Sequence, residues 1–86
     1  MVRQYPTARA YDLVEQLQSG GATELQAASN HEWVVARVPS GALVQVIWLE
    51  EQSEYYVSRW QGPTTGSQAL GHFPERDAAV VCALHA

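Results

Sequence analysis

Along the chain the apolar residues move from helical spacing to short strand-like runs and back to a helical run. Ala10, Val14 and Leu17 fall at helical spacing, with Tyr11 and Leu13 widening the stripe. Thr7 offers an oxygen to cap the start, and Gly20 and Gly21 supply a left-handed stop, so the pattern predicts a helix over 8–19. Between 22 and 28, Thr23, Leu25 and Ala27 alternate with Glu24, Gln26 and Ala28, the signature of a modest edge strand that ends in a Ser29-Asn30 turn. Stronger strands follow over 32–38, 42–50 and 54–58, the last extending towards Trp60, and all are rich in Val, Ile, Trp and Tyr. Pro39-Ser40-Gly41 and Glu51-Gln52-Ser53 are short polar breaks between them, and consecutive antiparallel hairpins are the simplest connection.

Residues 61–73 concentrate Gly, Pro, Ser and Thr and predict a loop that is mobile around 64–67, with 68–73 able to add a little extended chain. Pro74 then introduces a second helix. Glu75 and Asp77 suit the positive end of its dipole and His85 the negative end. Ala78, Val80, Val81, Cys82 and Leu84 give it an apolar side. So short a helix is unstable alone and must dock on the sheet.

The expected fold is therefore α+β: one domain over 1–86, a two-layer sandwich of helix, three- or four-stranded antiparallel meander and helix, with both helices on one face of the sheet. This element order resembles the double-stranded-RNA-binding domain and small toxins of the HicA type. The resemblance implies nucleic-acid binding as an alternative function. The chain, however, has five arginines and no lysine, without the basic clusters of those RNA-directed families.

Alternation also says which strand residues the helices leave uncovered, because helices on one face bury only every second side chain. Taking Arg37, Gln45 and Arg59 as outward markers puts Trp33 and Val35 outside in the first strong strand. It puts Leu43, Ile47 and Leu49 outside in the second, and Tyr55 and Val57 in the third. Tyr56, Ser58 and Trp60 then point inward. A rimmed apolar face of this kind favours a protein partner, and Trp, Tyr and Arg are enriched at binding hot spots. The expected contact residues are Trp33, Val35, Arg37, Ile47, Leu49, Tyr55, Val57 and Arg59. A one-residue slip of any strand, or the 61–73 segment folded across this side, would change that list.

Composition narrows the function classes. Nine acids against five arginines give a net charge of −4, which disfavours phosphate backbones and keeps a small domain dissolved. No apolar run is long enough to cross a bilayer, and the opening residues lack the continuous apolar stretch of a signal peptide. A single cysteine excludes an internal disulfide, and together these features point to the cytoplasm. His31, His72 and His85 show no metal-ligand spacing, Cys82 lies in an apolar helical segment, and Gly62, Gly66 and Gly71 match no phosphate-binding loop. Glu50, Glu51 and Glu54 surround a turn, where carboxylates are ordinarily solvated. No enzyme activity, metal or cofactor is expected. The reading that remains is a non-catalytic interaction module binding another protein, or itself as a homodimer. Such a module suits an inhibitor, an antitoxin- or immunity-type protein, or a phage accessory protein acting on a host component.

Overall fold

The computed structural model describes residues 8–27 and 33–86. Its elements run α1 (Ala8–Ser19), β1 (Thr23–Ala27), β2 (Trp33–Arg37), β3 (Leu43–Leu49), β4 (Glu54–Gly62), β5 (Gly66–Phe73) and α2 (Arg76–Leu84). The strands form one open antiparallel sheet in chain order, β1-β2-β3-β4-β5, and both helices pack on the same face. The α+β sandwich is as expected, with the modest edge strand present as β1 and a fifth strand added at the opposite edge. The Thr7 cap, the Ser29-Asn30 turn and the start of the second strand at Glu32 lie outside the described residues.

Helix α1 buries Ala10, Leu13, Val14 and Leu17, the stripe that the spacing marks. Its end is a Schellman motif. Gly21 sits at φ 100, its N–H donates to the Gln18 carbonyl at 3.0 Å, and the Ala22 N–H reaches back to the Leu17 carbonyl at 2.9 Å. Leu17 and Ala22 are both buried, so the turn that stops the helix also seals the core beneath it.

The hairpins follow from their turn residues. Between β2 and β3 the Gly41 N–H donates to the Val38 carbonyl at 2.8 Å with Gly41 at φ 94, a type I turn closed by a left-handed glycine. Between β4 and β5 the turn takes only residues 63–65, and Gly62 stands opposite Gly66. Most of the expected mobile loop over 61–73 is therefore strand. Gly, Pro and Thr set the turn itself, while Leu70 and Phe73 beyond it pack against the core and hold the segment in the sheet.

The core lies between the sheet and the helices. Val34, Ala36 and Val38, with Val44 and Val46, meet Tyr55 and Val57 from β4, the α1 stripe, and Ala79, Val80 and Ala83 from α2. The apolar side of α2 differs from expectation: Ala78 is exposed and Val81 is 55% exposed, while Cys82 and Leu84 are partly buried. RDAAVVCAL is apolar on nearly every side, so no polar stripe fixes its rotation, and the sheet decides it. Between the helices a polar clasp forms. Arg76 Nε donates to Gln16 Oε1 at 2.6 Å, Gln16 Nε2 to Asp77 Oδ1 at 2.8 Å, and Arg76 stands 3.6 Å from Asp12.

Candidate protein interface

Side chains directly opposite across antiparallel strands share a face, so the register reads the helix-free side row by row. One row runs Trp33, Ile47, Tyr56 and His72; the next runs Val35, Gln45, Ser58 and Ala69. A third begins with Arg37 opposite Leu43 and ends with Trp60 opposite Ser67. Among the described residues no element covers these rows, and most of their large side chains remain half-buried. Trp33, Ile47 and Tyr56 on one side and Leu43 and Trp60 on the other thus flank Gln45 and Ser58. Trp60 is the most prominent member, 49% exposed at the rim of a shallow depression of about 220 Å³ lined by Val35, Leu43, Val44, Gln45, Trp60 and Ser67.

Trp33, Val35, Arg37, Ile47 and Leu49 stand on this outer face, where alternation placed them. Tyr55, Val57 and Arg59 do not. Tyr55 is 4% exposed and Val57 is fully buried, opposite the inward Trp48 and Val46. The reason is the turn: Leu49 stands opposite Glu54, so Glu54 inherits the outward side of Leu49 and parity sends Tyr55 inward. Arg59, the outward marker of the sequence reading, shares the side of Val44 and is exposed near the end of β4. The same parity turns Tyr56, Ser58 and Trp60 to the outer side and not inward as alternation from Arg59 predicts; there Ser58 is buried between its neighbours and Trp60 is exposed. The length of the turn between Leu49 and Glu54 was the signal that could have found them.

Polar groups at two corners of this side are paired. Arg37 Nε donates to Glu24 Oε2 at 2.8 Å and its terminal nitrogen to the Gly41 carbonyl at 2.8 Å, which fixes the guanidinium at one corner. At the opposite corner His72 Nδ1 lies 2.7 Å from Glu54 Oε2, and the His72 ring leans on Tyr56 with centroids 4.9 Å apart. His72 therefore sits in a strand and not in a loop. Trp33 Nε1 is buried with no acceptor among the described residues. On the opposite, inward side near the end of β3, Trp48 donates to Glu50 at 3.0 Å, and its ring packs edge-on to Tyr55 at 4.8 Å beneath the Arg9 guanidinium, 4.1 Å from the ring centre.

The chemistry of the remaining titratable groups is modest. Burial raises the Cys82 thiol above its ordinary pKa, which keeps it neutral and a poor nucleophile. His85 Nδ1 lies 2.8 Å from the Val81 carbonyl, a helix-end contact. Among the described residues no three His, Cys, Asp or Glu side chains gather as metal ligands. Nor, among them, is any helix long and apolar enough to cross a membrane. No family model, curated protein or solved structure matches the chain.

Proposed function

We propose that the chain is a non-catalytic interaction module that docks another protein on the outer face of its sheet, in the manner of an inhibitor or antitoxin-type protein. The observation that carries this reading is Trp60, half-exposed beside an apolar depression on a face that the domain's own helices leave uncovered. Exposed aromatic side chains next to a concave apolar floor are the usual anchors of protein interfaces. Glu51, exposed in the turn that follows β3, and Glu54, opposite Leu49 on the outer side, give the end of the face an acidic rim. The fitting partner is a protein that inserts an apolar side chain beside Trp60 and presents basic groups to that rim.

The nucleic-acid alternative has less support. Arg37 and Arg76 are turned towards Glu24 and Asp12, so two of the few cations are already neutralised. The fifth strand also departs from the helix, three or four strands, helix order that carried the resemblance to RNA-directed domains.

The test uses the immobilised protein in four forms: unaltered, Ile47→Asp, Trp60→Asp and Val81→Asp, the last on the exposed side of α2. Proteins held by the unaltered and Val81→Asp forms should be released from the other two, with affinity lowered at least about tenfold. Retention that is indifferent to Ile47→Asp and Trp60→Asp would remove the proposal.

A further inference from the structure

The two edges of the sheet differ in how they are closed to further pairing. An edge strand presents unpaired N–H and C=O groups, and folded domains blunt such edges with shortness, charge, proline or bulges. Strand β1 has several of these devices. It is five residues long, its pairing with β2 breaks between Thr23 and Gln26, and Glu24 is held at φ 54 with its carboxylate on Arg37.

Strand β5 has little of this. It is eight residues long and carries no Asp, Glu, Lys, Arg or Pro. Ser67, Gln68 and Ala69 are exposed. Its pairing with β4 shifts twice, once leaving Leu70 between Ala69 and Gly71 and once between Trp60 and Gly62 beside the left-handed Gly66, so the regular stretch is Ser67 to Ala69. Among the described residues, nothing pairs with its outer side.

We infer that β5 pairs antiparallel with β5 of a second copy of this chain, with the two-fold axis near Gln68. A partner strand for this edge must add to uncharged backbone without setting like charges opposite each other. A second β5 centred on Gln68 does so, because Ser67, Gln68 and Ala69 carry no charge to repel their own copies. An axis near Gln68 also turns the Phe73 end, with Glu54, Glu75 and Asp77 around it, away from the other chain.

A two-fold axis perpendicular to the sheet makes the contact isologous and joins the two sheets edge to edge. Both outer faces then lie on one side of the joined sheet and both helix layers on the other. The dimer presents the Trp60 region twice without covering it, and a partner with two matching patches would bind with enhanced avidity. This inference does not rest on the docking proposal, which concerns the face and not the edge.

Sedimentation equilibrium under reducing conditions, which exclude a Cys82 disulfide, tests it with three forms. The mass of the unaltered protein should rise from 9.5 kDa towards twice that value with concentration, with a dissociation constant between about 1 μM and 1 mM. Gln68→Lys combined with Ala69→Lys sets cations opposite cations at the edge and should weaken the dimer at least about tenfold. Its own fold is checked by circular dichroism and, independently, the amide exchange of β5 in the unaltered protein should slow as concentration rises. Ile47→Asp should dimerise unchanged. A protein that stays monomeric at about 1 mM overturns the inference. So does a dimer that survives the lysine pair, or one that Ile47→Asp disrupts.

Discussion

The two faces of the central strands are built from much the same residue types and end in different environments. Val34, Ala36, Val44 and Val46 point inward and are buried under the helices; Trp33, Val35, Leu43 and Ile47 point outward and stay half-buried with no helix above them. Apolar character alone therefore does not mark the core of this domain. What marks it is the side on which Leu13, Val14, Leu17, Ala79 and Ala83 arrive. The half-buried apolar side chains left on the outer face are the physical basis for proposing it as a place of contact.

The sharpest way to break the comparison is a charge on the inner face. Val46→Asp buries an unpaired carboxylate and should cost more than about 4 kcal/mol. The whole stability of a chain this size is on the order of 4–13 kcal/mol, so loss of cooperative unfolding in urea is the expected outcome. A well-folded Val46→Asp protein would mean that the inward side is wetter than described.

A smaller effect is expected where α1 hands the chain to β1. Gly21→Ala forces a Cβ into the left-handed region and close to the Pro39 ring, and should cost about 1–2 kcal/mol by the urea midpoint. No change in midpoint would indicate that the Schellman turn is not rigid. The smallest effect concerns Cys82. Its thiol titrates above the ordinary value when folded, so its contribution is whole below about pH 8.5 and is lost as pH rises through the raised value. Below that range alkylation by iodoacetamide should be slower than for a free thiol, and Cys82→Ser should remove the alkaline part of the stability profile. Equal alkylation rates would place the thiol in water.

Much of this was legible in the residues. The spacing of Ala10, Val14 and Leu17, followed by two glycines, defines α1 and its C-terminal end, because an amphipathic stripe and a left-handed stop are local signals. Arg37 and Gln45 orient β2 and β3 correctly for the same reason: each is a polar residue within a strand apolar on both sides. In β4 the local signal misleads, since Tyr55 and Tyr56 are equally plausible on either face and Arg59 is exposed on the inward side. The parity there is set by a pairing across the turn, Leu49 with Glu54, which is not a property of either strand alone. Strand β5 was hidden by its composition, because its glycines and polar residues signal a loop, and only Leu70 and Phe73 tie it to the core. The rotation of α2 was undetermined for the opposite reason, a helix apolar almost all round.

If the outer face is spare to the fold, it is open to a partner. Urea unfolding of Ile47→Asp, set beside the unaltered protein, tests it most directly, because Ile47 neighbours Val46 in the same strand and faces the other way. The account predicts a folded protein with a cooperative transition, destabilised by about 1–2 kcal/mol for the half-buried side chain and the weaker strand preference of Asp. Global unfolding, as severe as that of Val46→Asp, would mean that the domain already uses this face for its own core.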